Sequence, residues 1–321
     1  MHSLQEAVQP VGFGAWQLAG TWEAGGRPKG WGPVSGPESE ALVHAALDAG
    51  VRFFDTAESY GAGRSEARLG AALSTAAEGR AARVCSKLAV DAGQLRAGRL
   101  EHGLRRRVEA MLGRLRRDRL DLLLLHGPPD DVPWDRVDPA PLDALVEAGL
   151  VRAYGVSPRG LAGALAVARA GFGTAVEWVL NLLERRPLQT LLPCLRAQRM
   201  DFIARTPLAR GLLKASVVDA VPDWPSDDFR SGLDAGYQAW VRESLRELAR
   251  CSVVDDRLPL HALRWVTEQP GVSVVIPGVR RLGQVQALRA LPTHALPPGF
   301  SRCVERELQA CYPPWNGPTA S

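Results

Sequence analysis

Residues 83–126 read RVCSKLAVDAGQLRAGRLEHGLRRRVEAMLGRLRRDRLDLLLLH. A short apolar run, VCSKLAV, leads into an amphipathic stretch and then into a second apolar run, LDLLLLH. Between the two runs Leu100, Leu104, Val108, Leu112 and Leu115 recur at helical spacing, with arginines on the opposite face. The order strand, helix, strand is the unit from which parallel sheets are built. The same alternation continues in both directions, with candidate strands at 11–16, 52–56, 83–88, 121–126, 153–157, 177–181, 201–206 and 272–277. A closed (β/α)8 TIM barrel is the natural solution for this pattern, as one domain over residues 1–321. An open doubly wound sheet would require a glycine-rich dinucleotide turn after an early strand. Gly12-Phe13-Gly14 lacks the third glycine and opens a long loop instead of a helix.

Helix signals agree with this reading. Pro37 precedes the first helix and Gly50 follows it, while Asp138 caps a helix ahead of Pro139 that Gly149 closes. Two loops are long, 17–36 after the first strand and 215–236 after the seventh. In a barrel, loops that follow strands lie on the face where chemistry occurs.

Composition narrows the class of protein. With 46% apolar residues in 321, the chain can bury a large core. No apolar run approaches the roughly eighteen residues of a membrane span, so no membrane partner is expected. The N-terminal MHSLQEAVQP lacks a signal-peptide pattern, leaving the cytoplasm as the default compartment. Five cysteines form no close metal-type cluster, and their odd number argues against a fully paired disulfide framework. The arginine runs 105–107 and 116–117 read as a solvated helix face, so nucleic acid is not expected as a partner. Lys29, Lys87 and Lys214 are the lysines of a chain that otherwise uses arginine. Lys87 stands out because it lies within an apolar strand.

Four polar residues fall at the ends of three successive strands. FFDTAESYG places Asp55 at the end of strand two and Tyr60 just past the turn; Lys87 lies on strand three, and His126 follows four leucines on strand four. Taken singly, each has an ordinary structural reading as a cap, a packed ring or a core histidine. A buried ammonium, however, is costly without a carboxylate partner, and Asp55 on the neighbouring strand is within reach. A tyrosine with its ordinary pKa near 10 is a weak acid, and a cation beside it lowers that value. The four groups therefore read as a proton donor, Tyr60, tuned by a Lys87–Asp55 pair, with His126 orienting a substrate oxygen.

At these residues the chain resembles the aldo-keto reductase superfamily. The segment 45–73, AALDAGVRFFDTAESYGAGRSEARLGAAL, carries the resemblance, which continues through LLLLHGPP, AYGVS, LNLLERR, TPLARGLL and VSVVIPGVRR. It implies a barrel with no separate dinucleotide domain, NADP(H) rather than NAD(H) across the mouth, and catalytic roles for Asp55, Tyr60, Lys87 and His126. It also implies cofactor contacts at Ser157, Glu177, Arg205, Pro207, Leu208, Arg210, Gly278, Arg280, Arg281 and Gln284. Arg280 and Arg281 suit a 2′-phosphate. Several positions depart from the family pattern. Pro158 replaces an asparagine, Glu177 a glutamine and Arg205 a stacking aromatic, while Ala287 and Leu288 stand where acidic and amide groups often meet adenine. Beside the nicotinamide, Arg205 would disfavour the oxidised, cationic ring, an effect that Glu177 would offset.

The reaction expected from these residues is reduction of an aldehyde or ketone by NADPH. Tryptophans on the mouth loops (Trp22, Trp31, Trp134 and Trp224) suggest a bulky or aromatic substrate. Oxidation of a sugar or alcohol is the alternative. A barrel with weakened cofactor binding in a non-redox or regulatory role is a third reading. The sequence leaves the substrate and the oligomeric state open.

Overall fold

The computed structural model describes residues 10–100 and 103–311. The N-terminal segment on which the signal-peptide reading rests falls, up to residue 9, outside the described residues. Eight strands alternate with helices: β1 (Phe13–Gly14), β2 (Phe53–Asp55), β3 (Arg83–Ala89), β4 (Leu122–His126), β5 (Tyr154–Ser157), β6 (Ala175–Val179), β7 (Asp201–Arg205) and β8 (Val274–Ile276). They form one parallel sheet in sequence order. Its two edges meet, since Gly12 N donates to Val275 O at 2.8 Å and Gly14 N to Pro277 O at 2.9 Å. Parallel bridges Val11–Val275 and Gly14–Gly278 complete the closure. Strand β6 begins two residues ahead of the expected 177, which moves Glu177 to mid-strand. At the β5–β6 contact only glycine fits position 155, where a Cβ would lie 2.1 Å from Ala175 O.

Besides two short helices, Ala92–Arg96 and Arg186–Gln189, the helices are α1 (Gly36–Asp48), α2 (Arg64–Thr75), α3 (Leu104–Leu115), α4 (Ala140–Glu147) and α5 (Leu161–Ala170). They continue with α6 (Leu191–Ala197), α7 (Ala235–Arg250), α8 (Leu258–Thr267), α9 (Leu282–Ala290) and α10 (Phe300–Glu307). Ser35, not foreseen, caps α1 in a capping box with Glu38, and Pro37 lies inside the first turn, where its missing N–H costs nothing. In α3 the buried stripe is Leu104, Val108, Met111, Leu112 and Leu115; Leu100 is buried but precedes the helix. Asp138 accepts from Ala140 N at 3.0 Å, but it lies one residue ahead of the N-cap expected of it: Pro139 holds that position and no side chain caps α4. Cys251 and Cys303 form a disulfide between the end of α7 and α10, leaving Cys85, Cys194 and Cys311 free. Among the described residues no helix is long and apolar enough to cross a membrane.

Two cores result from the two faces of the sheet. A large cluster fills the space between strands and helices, while Phe53, Cys85, Leu122, Leu124, Ala175, Ile203, Val274 and Ile276 pack inside the barrel. Side chains alternate across a strand, so the residue two positions beyond an inward one also points inward. Two steps past Phe53 is Asp55, past Cys85 is Lys87, past Leu124 is His126, past Ala175 is Glu177, and past Ile203 is Arg205. A hydrocarbon plug is thereby capped with a layer of charged and polar groups at the C-terminal ends of the strands.

The long loops arch over that layer together. A 3-10 turn (Trp16–Ala19) leads into the first loop, which holds a small hairpin pairing Glu23–Ala24 with Arg27–Pro28. Phe229 N donates to Gly30 O at 2.8 Å, and Trp31 bridges Asp228, joining this loop to the one after β7.

Candidate active site

Beneath the loops lies a cleft of about 780 Å³. Asp55, Tyr60, His126, Ser157, Glu177, Arg205, Pro207, Leu208, Arg210, Gly278, Arg280 and Gln284 all line it, with Trp16, Gln17, Ser59, Trp31 and Phe229. Lys87 lies below them, fully buried. Its ammonium donates to Asp55 Oδ1 at 2.5 Å and to the Thr56 carbonyl at 3.0 Å, and lies 3.3 Å from Glu177 Oε2. The Tyr60 ring sits over it, with Nζ 5.4 Å from the ring centroid. His126 meets Tyr60 edge-on at 5.9 Å and has Ser59 Oγ 3.3 Å from its Nδ1.

The electrostatics follow from Lys87 serving two buried carboxylates, with Arg205 as a second cation beside Glu177. Burial tends to lower the Lys87 pKa, but Asp55 and Glu177 together raise it well above the ordinary lysine value, so it stays charged. Asp55 is pushed up to about 8, by burial first and by Glu177 second, against the pull of Lys87. Tyr60 corrects a sequence expectation. Lys87 does lower its pKa, but burial, reinforced by Asp55 and Glu177, outweighs this and pushes the phenol up to about 12. His126 is driven down to about 3 by burial and then by Lys87, Arg205 and Arg159, which keeps it neutral. Arg205 does not stand alone as a cation, since its Nε is 4.0 Å from Glu177 Oε1.

Further along the cleft the charge is positive. Arg230 grips Asp228 with both ends of its fork, at 2.8 and 2.5 Å, and Arg280 reaches the same carboxylate at 3.6 Å. Lys214 has its pKa lowered by burial and then by Arg230 and Arg281. Arg230 and Arg280 thus line one end of the cleft, while Lys214, and Arg281, expected from the sequence as a cofactor contact, lie close to them but outside the lining. Gln284 accepts from the backbone N–H groups of Arg280 and Arg281 at 2.8 and 3.1 Å, so its carbonyl serves the start of α9. Between the two ends, Thr206, Ala209 and Arg210 all have positive φ (55°, 46° and 61°), a concentration of backbone strain typical of sites held for function.

Of the four tryptophans picked from the sequence, only Trp31 lines the cleft. Trp134 is buried against Phe172, and Trp224 lies under Lys214 and Arg230, with the Arg230 guanidinium 3.7 Å from its ring centroid. Trp22 also lies outside the lining. Aromatic walls come instead from Trp16, which stacks on Tyr60 at 5.7 Å, and from Phe229, which contacts Trp16 and Trp31 at 4.8 and 4.5 Å. Trp16 was legible as the last residue of the first strand, and so a mouth residue. Phe229 carried no such signal.

Buried polar atoms without partners test whether a nicotinamide nucleotide fits this cleft. Asp55 Oδ2, Glu177 Oε2, Arg205 Nε, Gln17 Oε1 and the Trp16 indole N–H are buried without a hydrogen bond. Unsatisfied donors and acceptors at one end and surplus cations at the other suit a ligand with an amide head and phosphates. Barrel and site define an oxidoreductase that uses NAD(P)H for carbonyl chemistry. The chain belongs to the aldo/keto reductase family, whose model matches residues 10–298. It is 28% identical over 288 residues to aldo-keto reductase YhdN of Bacillus subtilis, covering 87% of this chain and 83% of that protein. Among solved structures it resembles the glycerol dehydrogenase AKR11B4 of Gluconobacter oxydans (27% identity, TM-score 0.73, 98% and 95% of the two chains). A similar barrel is that of aldo-keto reductase AKR11C1 of Bacillus halodurans (23% identity, TM-score 0.72, 98% of each chain).

Proposed function

We propose that the protein reduces an aldehyde or ketone with NADPH and that Tyr60 delivers the proton. The observation that carries this reading is the Tyr60 ring above a fully buried Lys87, with His126 against its edge, at the mouth of the barrel. Ser157, Glu177 and Arg205 would hold the nicotinamide end of the cofactor, and Arg280 and Arg281, with Lys214 and Arg230, its phosphates. When bound, the cofactor supplies a hydride to the carbonyl carbon.

The chain's own groups do the rest. His126, neutral, donates one N–H to the substrate oxygen, and in the tautomer with that hydrogen on Nε2 its Nδ1 accepts from the Ser59 hydroxyl 3.3 Å away. Tyr60 keeps its proton across the neutral range because its pKa is pushed up to about 12. An alkoxide is a stronger base than a phenolate, so transfer from Tyr60 to the product oxygen remains downhill. Lys87 then steadies the tyrosinate. Trp16, Trp31 and Phe229 favour a substrate with an aromatic or other bulky apolar group.

Tyr60→Phe tests the reading, assayed on a panel of aldehydes and ketones with NADPH. Turnover should fall by about 10²–10⁴-fold. NADPH binding, followed by tryptophan fluorescence, should stay near the parent value. Near-normal turnover in the variant would remove Tyr60 from the chemistry. Alcohol oxidation is the second reading, favoured by the two carboxylates around Lys87 and by the glycerol dehydrogenase name of the Gluconobacter relative.

A further inference from the structure

Glu177 is a departure that changes the charge count of the site. On β6, with 1% of its surface exposed, it has its Oε2 3.3 Å from Lys87 and accepts from the Ser157 hydroxyl at 3.3 Å through Oε1. One Asp55 oxygen and one Glu177 oxygen lie within 4.8 Å of each other. Lys87 engages Asp55 through Oδ1, while Asp55 Oδ2 and Glu177 Oε2 are both buried without a hydrogen-bond partner. Two adjacent carboxyl groups, each with an unsatisfied oxygen and with one ammonium between them, are an arrangement that binds a proton.

The described groups around the pair act in both directions: burial and the mutual repulsion of the carboxyls favour a proton, while Lys87 and Arg205 favour the ionised forms. From the β2 side come Asp55 itself and Tyr60, which is neutral; from β3, Cys85 and Lys87; from β4, His126, also neutral; from β5 and its loop, Ser157 and Arg159; and from β7, Arg205. Among the described residues Lys87 is the cation in contact with both carboxyls, and Arg205 is a second cation beside Glu177. Arg205 approaches Glu177 to 4.0 Å, but its Nε has no hydrogen-bond partner.

We propose that Asp55 and Glu177 share one proton over Lys87, and that the site releases this proton when it takes up the oxidised, cationic nicotinamide. The inference rests on the reading of the cleft as a nicotinamide site. The O–H bond of the shared carboxyl breaks and the proton passes to buffer, leaving a second carboxylate to balance the ring's positive charge. The reduced ring is neutral and requires no such release. Glu177 thereby makes the preference for oxidised over reduced cofactor rise with pH, the direction opposite to the bias expected from Arg205 alone. A glutamine at this position holds no exchangeable carboxyl proton and gives no such dependence.

The test is calorimetric titration of the purified chain with NADP+ and with NADPH, in two buffers of different ionisation heat, for the parent and for Glu177→Gln. In the parent near pH 7, NADP+ should release approaching one proton and NADPH none; in Glu177→Gln neither should release any. The NADP+ affinity of the parent should rise by up to about tenfold per pH unit between about pH 6 and 8, while that of the variant stays flat. NADP+ binding without proton release in the parent, or with equal release in the variant, overturns the proposal. Failure of either cofactor to bind the parent would instead overturn the reading of the cleft. In that case infrared spectroscopy of the cofactor-free protein reads the proton directly. The parent should show a protonated-carboxyl stretch near pH 7 that is lost in Glu177→Gln, and its absence from the parent or persistence in the variant overturns proton sharing.

Discussion

The two ends of this barrel are built from the same kinds of charged residue and put them to different use. At the C-terminal mouth, Asp55, Lys87 and Glu177 are almost wholly buried and lie within contact of one another. At the N-terminal ends of β3, β4 and β5 lies a second cleft, of about 740 Å³, lined by Arg80, Arg83, Arg116, Arg117, Arg119 and Arg152 with Asp118 and Asp121. The floor arginines stand in water or bond locally, as Arg117 does to the Gly79 carbonyl at 2.5 Å. A charge in water interacts weakly with its neighbours, whereas the same charge on a hydrocarbon plug is strongly coupled to them. It is the lumen layer of Phe53, Cys85, Leu122, Leu124 and Ile203 that makes the mouth reactive, by removing solvent from one side of the charged layer.

The largest effect should come from removing the cation at the centre of the mouth. Lys87→Met leaves Asp55 and Glu177 buried without their ammonium, and breaking a buried pair in this way costs about 3–5 kcal/mol. The loss should grow with pH. Asp55, pushed up to about 8 in the folded chain against an ordinary 3.8, holds a proton that the unfolded chain releases. Its protonated form therefore favours the folded state at low pH, and that contribution is lost as pH rises from about 4 towards 8. Without Lys87, an ionised Asp55 is an unpaired buried charge, and Glu177 keeps only Arg205, 4.0 Å away. Urea denaturation of parent and variant at about pH 6 and pH 9 should show the wider gap at pH 9. Equal stability at both would mean that the mouth is as wet as the floor.

An intermediate effect is expected at the rim, where arginines are half in water. Replacing Arg280 and Arg281 together by alanine should weaken NADPH more than tenfold while changing NADH little, because each charge-assisted hydrogen bond is worth about 1.5–3 kcal/mol. Part of the Arg280 charge is already engaged by Asp228 at 3.6 Å, so the change should lie towards the lower end. Direct titration with both cofactors measures it, and equal weakening of the two would show that these arginines do not distinguish the 2′-phosphate.

What the sequence disclosed divides along the same line between burial and water. Strands were legible because short apolar runs alternate with stretches of helical period, and the Asp55, Lys87 and His126 positions were legible because a polar residue within or ending such a run must be explained. Glu177 was legible as a residue but not as a neighbour. The candidate strand began at 177, whereas β6 begins at Ala175, which sets Glu177 two residues deeper and against Lys87. The Tyr60 pKa was misjudged because burial, which raises it most, was not weighed against Lys87, and Asp55 and Glu177 add to that rise. Tryptophan identity gave no guide to direction. An indole on a mouth loop can face the cleft, as Trp31 does, or pack away from it, as Trp134 does against Phe172.

The smallest effect should come from repeating the double-alanine substitution at the floor. Arg119 and Arg152 are exposed, and among the described residues their side chains make no hydrogen bond or ion pair. They flank the N-terminal ends of β4 and β5, the strands that carry His126 and Ser157 at the opposite end. If coupling between the ends ran through those strands, a charge change at the floor would be felt at the mouth. Between the two charged layers, however, lie the apolar side chains of the lumen, which have no polar group to relay a shift, and the floor charges are screened over about 8–10 Å at physiological salt. Surface substitutions of this kind usually change stability by no more than about 0.5 kcal/mol. Arg119→Ala with Arg152→Ala should therefore keep the parent's urea midpoint, NADPH affinity and pH–rate profile. A shifted pH–rate profile in this variant, with stability unchanged, would mean that the field of the floor reaches the Asp55–Glu177 pair and that the two ends are not electrically separate.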